Sequence, residues 1–353
     1  MDIMVLNGDG IGPEIMDAGT KILKKLNDNF GVNINPVKYD IGARSLDQGK
    51  YKIENILEEA RKYKAILKAP MGDPKLRNTG GTEIALDLIL ALRFDLDLYA
   101  NVRPVRLLPG VSSPLIGYKS RDSINYTIIR ENSEGLYSSH FGGLVLRDEV
   151  AIDNQTITRK GTERIAKFAF DLALKTEGNP KNGERSVVCT DKSNVLKSFA
   201  FFRKIFSEVS LEYKQIKPRY MYADAMAQYM ILNPEELNVI VTENMFGDVL
   251  SDLGASTVGG LGFAYSANVS DSMGMFEPVH GSAPDIAGRN IANPTAMIMS
   301  TAMMLDWLGY PEYRKTIEKA LFKTIEIGVK TADMGGNAST SFFTENVLNN
   351  MDQ

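Results

Sequence analysis

Strand-like apolar runs alternate with helical stretches along most of this chain, and no long linker interrupts them. Residues 3–7 (IMVLN) read as a buried strand and GDGIG at 8–12 as a glycine turn. Pro13 and Glu14 then suit a helix start, because proline fits the first helical position and an acid favours the dipole there. Ile15, Ala18, Ile22 and Leu26 continue one apolar helix face. The same reading predicts strands at 33–39, 64–69, 99–105, 125–130, 144–152, 186–189 and 238–242. It predicts helices near 53–62, 82–93, 160–175, 194–207 and 222–232. After about 259 the chain is glycine-rich and then mostly helical. Such alternation predicts an α/β fold. The 353 residues suit two domains, at roughly 100–200 residues each. Without a linker, the domains are expected to form by the chain crossing over and returning.

Charge and rare residues narrow the chemistry. Lys plus Arg is 40, Asp plus Glu is 44, and the net charge of −4 does not suit a chain-wide nucleic-acid binder. The lone cysteine, Cys189, excludes an intrachain disulfide. Only two histidines, His140 and His280, are present, which excludes a multi-histidine metal centre. Proton chemistry is therefore expected from carboxylates, lysine or tyrosine. Residues 1–8 lack the basic start and small-residue cleavage site of a signal peptide. The most apolar stretch, AMIMSTAMML at 296–305, predicts a core helix, since a membrane span needs roughly 20 residues. A cytoplasmic protein with no membrane or nucleic-acid partner is expected.

Five constellations bear on function. The glycine turn is either the start of a dinucleotide site or a tight structural turn; its third glycine falls one position early for a Rossmann motif, and Pro13 follows. Arg93, Arg103, Arg106 and Arg130 lie at the ends of predicted elements. They are either solvated charges or a set converging on a small polyanion, whose carboxylates guanidinium groups match bidentately. Asp248 and Asp252 in MFGDVLSDLG stand four apart, on one helix face. They form either an exposed acidic face or an oxygen-only site for Mg²⁺ or Mn²⁺, with Asp224 as a possible third ligand. Lys192 in CTDKSNV, close to metal and arginines, would have a depressed pKa suited to a general base, and Tyr137 offers a phenolic proton. The loop EPVHGSAPDIAG at 277–288 carries His280, suited to stacking on a base, and Asp285, suited to accepting two ribose hydroxyls.

Together these segments resemble the β-decarboxylating dehydrogenases, which act on isopropylmalate, isocitrate, homoisocitrate and tartrate or D-malate. The resemblance rests on GDGIGPE at 8–14, LRFDLDLYANVRP at 92–104, RENSEGLY at 130–137 and DKSNVL at 191–196. It continues through DAMAQ at 224–228, TENMFGDVLSDLGA at 242–255, EPVHGSAPDIAG and NPTAM at 293–297, nearly end to end. It implies an isocitrate/isopropylmalate dehydrogenase-like fold, not a Rossmann fold, with two domains sharing a mixed sheet and an interdomain cleft. Residues 1–98 plus 259–353 are then the cofactor-binding domain, and 99–258 the substrate, metal and dimerisation domain.

The resemblance also implies residue roles. Arg93, Arg103 and Arg130 match the arginines that hold the malate carboxylates, Lys192 the general base on the 2-hydroxyl, and Tyr137 the proton donor to the enolate. Asp224, Asp248 and Asp252 match the metal ligands, with Lys192 and Asp224 contributed by the neighbouring subunit of a homodimer. His280, Gly281, Ser282, Ala283, Asp285, Ile286 and Asn293 match the cofactor segment. An acid at Asp285, where NADP enzymes carry lysine followed by tyrosine, points to NAD. The specificity segment, Leu86 to Leu90, lacks the serine and asparagine of isocitrate enzymes. Its Ile89–Leu90 pair suits an isopropyl group, although Leu86 stands where bacterial isopropylmalate enzymes carry glutamate. The implied reaction is oxidation and decarboxylation of 3-isopropylmalate to 2-oxoisocaproate in leucine biosynthesis, with D-malate or tartrate as the second reading.

Overall fold

The computed structural model describes residues 1–118 and 122–352. They fall into two compact units: 1–98 with 108–112 and 259–353, and 99–107 with 113–258. The first stretch of unit one carries β1 (Asp2–Leu6), α1 (Gly12–Phe30), β2 (Asn35–Tyr39), α2 (Ala43–Asp47), α3 (Ile53–Ala60), β3 (Ala65–Lys68) and α4 (Ile84–Asp95). Unit two carries β4 (Ala100–Arg106), β5 (Asn125–Glu131), β6 (Leu144–Leu146), β7 (Val150–Ile152), α5 (Arg159–Lys175) and β8 (Ser186–Asp191). It continues with α6 (Lys197–Ser210), β9 (Lys217–Tyr222), α7 (Ala223–Leu232), β10 (Val239–Thr242) and α8 (Asn244–Thr257). The chain then returns to unit one with β11 (Tyr265–Val269), β12 (Gly274–Pro278), α9 (Thr295–Trp307), α10 (Pro311–Glu326) and α11 (Thr340–Asn350).

The architecture is α/β, with mixed strand pairing in each unit. In unit one the strand order is β2-β1-β3-β12-β11. Its pairs are parallel except β11 with β12. In unit two the order is β4-β5-β10-β8-β9, parallel except β4 with β5. β1, β3, β8 and β10 are buried nearly throughout, as strands covered on both faces require. α1 buries Ile15, Ile22, Leu23 and Leu26 and ends at Gly31, whose φ of 68° lets its N–H reach the Asn27 carbonyl. α9 is buried nearly all round, the core helix that its apolar sequence predicts.

Some expected elements differ. The 144–152 stretch is a hairpin, because Arg147 and Asp148 take φ of 52° and 55° and reverse the chain between β6 and β7. β9 escapes a hydrophobicity reading because it mixes lysine, proline and arginine with its aromatics. β11 and β12 lie in the stretch read as glycine-rich and then mostly helical, where no strand is predicted; both are fully buried, and Glu277 and Pro278 of the expected loop belong to β12.

Candidate functional site

In unit two, one carboxylate gathers two of the three predicted substrate arginines and the predicted proton donor. α8 starts with Glu243 as its cap, whose carboxylate accepts the Phe246 and Met245 N–H groups at 2.8 and 3.1 Å. Burial holds that carboxyl above its ordinary pKa. One turn in, Asp248 accepts from Arg130 Nη1 and, at 3.0 Å, from the Tyr137 hydroxyl. Arg103 Nη2 lies 3.3 Å from the same carboxylate, and Arg103 Nη1 lies 3.4 Å from Asp252. The arginines come from β4 and β5, whose antiparallel pairing sets Asn101 opposite Arg130 and Arg103 opposite Ile128. Each guanidinium is held from behind: Arg130 Nε donates to Asn244 at 2.8 Å, and Arg103 donates to Asn101 at 2.7 Å and Ser251 at 2.6 Å.

Gly247 makes this packing possible. A Cβ there would stand 2.5 Å from the Arg130 side chain. Tyr137 sits in the 3₁₀ turn Leu136–Phe141, with the Arg130 guanidinium 5.4 Å from its ring centre. Burial, reinforced by the Asp248 carboxylate, holds the phenol above its ordinary pKa against the pull of Arg130. Burial also pushes the half-exposed Asp252 carboxyl up, while Arg103 pulls it down.

Lys192 and Asp224 form a second cluster in unit two. Lys192 Nζ donates to Asp224 Oδ1 at 2.8 Å, and that hydrogen bond lowers the Asp224 pKa. Among the described residues, no group of three or more His, Cys, Asp or Glu side chains is gathered to hold a metal ion. Asp248 and Asp252 share α8, whereas Asp224 lies on α7 against Lys192. The donor chemistry fits a hard divalent cation: carboxylate oxygens one helical turn apart, with Asp252 half exposed.

Unit one holds Arg93, Ile89, Leu90 and the cofactor segment. Arg93 Nη2 reaches Glu277 at 3.2 Å, while its buried Nε has no hydrogen-bond partner among the described residues. Ile89 packs in a cluster with Leu6, Leu88, Leu92 and Met275. Leu90 is likewise buried, and Leu86, one turn before it, is exposed. The segment from His280 is seated on the glycine turn. The Ser282 carbonyl accepts the Ile11 N–H at 2.8 Å, Ser282 Oγ donates to the Gly72 carbonyl at 2.6 Å, and Ala283 takes a φ of 40°. Gly281 and Asp285 are exposed, Ile286 is partly buried, and buried Asn293 donates to Asp333 at 2.8 Å. Burial, with the Lys68 charge, holds the His280 imidazole below its ordinary pKa and therefore neutral. The turn's glycines thus act in packing: a Cβ at Gly10 would stand 1.9 Å from the Ser282 oxygen.

Residue reading missed several groups that hold these side chains. Asn101, Asn244, Ser251, Lys68 and Glu277 are all buried. A charge closing a buried apolar run, as in AILK and GMFEP, is the signal that would have found the last two.

The family model for isocitrate/isopropylmalate dehydrogenase matches residues 2–347. The 3-isopropylmalate/3-methylmalate dehydrogenase of Methanocaldococcus jannaschii is 43% identical over 98% of this chain and 97% of its own. The 3-isopropylmalate dehydrogenase of Archaeoglobus fulgidus is 41% identical over 99% of each chain. The crystal structure of isocitrate dehydrogenase from Methylococcus capsulatus matches with a TM-score of 0.86 at 34% identity, covering 100% of this chain and 99% of that one.

Proposed function

The chain is a dehydrogenase belonging to the isocitrate/isopropylmalate dehydrogenase family, and from that premise we propose that it oxidises and decarboxylates 3-isopropylmalate, using NAD and Mg²⁺ or Mn²⁺. The observation that carries this reading is the convergence of Arg103, Arg130 and the Tyr137 hydroxyl on Asp248. Two buried guanidiniums and a phenol around one carboxylate suit a small dicarboxylate whose carbanion must be protonated.

Arg103 and Arg130 hold the carboxylates, and Arg93, whose Nε has no hydrogen-bond partner among the described residues, is a further substrate arginine. Lys192 accepts the 2-hydroxyl proton. Asp248, Asp252 and a second copy's Asp224 would hold a divalent cation, which would supply electrostatic stabilisation of the charge left by decarboxylation, and NAD would supply the hydride acceptor. Tyr137 then protonates the enolate carbon; its raised pKa keeps the phenol protonated until that step. The neutral His280 ring is suited to stacking on the adenine, and exposed Asp285 to the ribose hydroxyls, where a 2′-phosphate would be repelled. Apolar Leu86, Ile89 and Leu90 suit an alkyl substituent better than a third carboxylate, a methylene in such a pocket contributing roughly 1–3 kcal/mol.

Lys192 and Asp224 serve the second copy of a homodimer, and the exposed apolar hairpin Leu144, Val145, Leu146, Val150 and Ile152 supports such an interface. A cytoplasmic setting suits this chemistry, and no described helix is long and apolar enough to cross a membrane.

A panel of 3-isopropylmalate, D-malate, tartrate, isocitrate and homoisocitrate, each with NAD and with NADP, tests the reading. The highest kcat/KM is expected for 3-isopropylmalate with NAD; best turnover on isocitrate, or a clear NADP preference, overturns the respective assignment. Mixed dimers of Lys192→Met and Tyr137→Phe chains should regain turnover that neither parent shows, because one site of the hybrid has both groups. No regain would refute a shared site.

A further inference from the structure

Lys192 and Asp224 follow two neighbouring strand ends. β8 and β9 run parallel, with Asp191 in register opposite Tyr222. Lys192 is the residue after Asp191, and Asp224 lies two residues after Tyr222, in the first turn of α7. Both strand ends meet one guanidinium. Arg203 of α6 donates Nε to Asp191 Oδ2 at 2.7 Å and Nη2 to Oδ1 at 3.0 Å. Its Cζ stands 4.9 Å from the Tyr222 ring centre and 5.5 Å from that of Tyr220. Asp191 is fully buried, and its Oδ1 also accepts the Ser193 N–H at 2.8 Å, fixing the backbone on both sides of Lys192.

We propose that Asp191 and Arg203 are positioning residues that clamp the ends of β8 and β9 together, fixing Lys192 against Asp224 at the 2.8 Å separation seen between them. This inference rests on the reading of Lys192 as general base and Asp224 as metal ligand. Three features point to placement as the clamp's task. The fork binds a carboxylate next to the base, and its planar face lies over the tyrosine that precedes α7. Only arginine supplies both contacts at once, since an ammonium has neither fork nor face. The Asp191–Arg203 pair is also neutral as a whole, so it orders the segment without adding net charge beside the amine. Proton transfer needs the base within hydrogen-bond reach of the hydroxyl, so a clamp that slackens should cost rate, while the arginines that bind substrate stay intact.

Arg203→Lys and Arg203→Met, with Asp191→Asn as a second route should the arginine variants not fold, test the clamp in the full-length enzyme. Lys192→Met is measured beside them. The expected result is a kcat lower by about tenfold in Arg203→Lys and about a hundredfold in Arg203→Met, the scale of an ångström-sized misplacement. KM for substrate and for NAD should stay within about twofold, with the dimer retained. Trace acetylation read by peptide mass spectrometry should show Lys192 reacting several-fold faster in Arg203→Met, while lysines far from the clamp do not change. Unchanged kcat and Lys192 labelling in both arginine variants overturns the proposal. Parallel losses in kcat, KM and thermal stability, equal in the lysine and methionine variants, also overturn it, in favour of a merely structural ion pair. Should Lys192→Met itself turn over normally, the general-base reading fails first, and the labelling experiment alone then decides whether the clamp holds Lys192.

Discussion

Lys68 Nζ and Glu277 Oε2 lie 2.6 Å apart with side chains only 3% and 7% exposed, making this a buried ion pair. Arg93, at 3.2 Å, and Asn268, at 2.7 Å, complete the surroundings of the carboxylate. Burial alone would push Glu277 up, but the charges of Lys68 and Arg93, with hydrogen bonds from Lys68 and Asn268, pull it down from 4.5 to about 2. A carboxylate with a depressed folded-state pKa stabilises the protein above its unfolded pKa. That stabilisation is lost as pH falls from 4.5 towards 2. The shift corresponds to on the order of 3 kcal/mol. Glu277→Gln should therefore unfold more easily than wild type at pH 7. In denaturant titrations the gap should close as pH falls through this window, and a constant gap would show that Glu277 is not the group responsible.

The same cluster sets the charge available to Arg93. One acid stands between two cations, leaving an excess positive charge that a substrate carboxylate can use. Lys68→Met leaves Arg93 and Glu277 to neutralise each other. The expected consequence is a substrate KM raised by about five- to tenfold, the size of one lost, partly screened charge interaction. KM for NAD should change little. Breaking the buried pair should also lower stability, by less than the ~3 kcal/mol of an uncompensated buried charge, because Arg93 still faces Glu277. A stability loss without any change in substrate KM would confine Lys68 to the core.

Glu131 behaves in the opposite sense. It closes β5 and folds back on the chain, Oε1 accepting the Ser133 hydroxyl at 2.6 Å and Oε2 the Glu134 N–H at 2.7 Å. Burial outweighs these bonds and raises its pKa from 4.5 to about 7. The folded state then holds the proton more tightly than the unfolded chain. The associated stability is present below pH 4.5 and is lost as pH rises to about 7, on the order of 3 kcal/mol. Glu131→Gln, which resembles the protonated acid, should flatten the decline in unfolding free energy between pH 5 and 7. An unaltered slope would assign the decline to another group.

Local spacing was legible because short runs carry it: MFGDVLSDLG sets Asp248 and Asp252 on one helix face, and α8 has them one turn apart. What holds such residues comes from distant strands: Asn101 behind Arg103 and Asn244 behind Arg130 are joined by folding, not by spacing. β9 hid because strand identity there comes from pairing with β8, not from apolar content. The order of β12 beside β3 is likewise a tertiary fact, and without it nothing in AILK or GMFEP says that Lys68 meets Glu277. Ile89, which the resemblance assigns to the specificity segment, packs in one buried cluster with Leu6 and Met275, a long-range neighbourhood that its spacing does not show.

Gly10 and Gly31 make a matched pair for testing what the glycine turn does. Both have positive φ, 59° and 68°, so alanine strains the backbone at either site, by about 1–2 kcal/mol. Around Gly31 nothing lies within 4 Å of an added Cβ, so Gly31→Ala should cost that strain and no more. At Gly10 the added carbon would stand 1.9 Å from the Ser282 carbonyl oxygen, and the backbone of the cofactor segment must move. That movement breaks the 2.8 Å hydrogen bond from Ile11 to Ser282 and displaces the residues proposed to hold NAD. Gly10→Ala should therefore raise KM for NAD by tenfold or more, with substrate KM little changed, whereas Gly31→Ala leaves both at wild-type values. Equal kinetics in the two variants would show that the turn only links β1 to α1 and has no part in seating the cofactor segment.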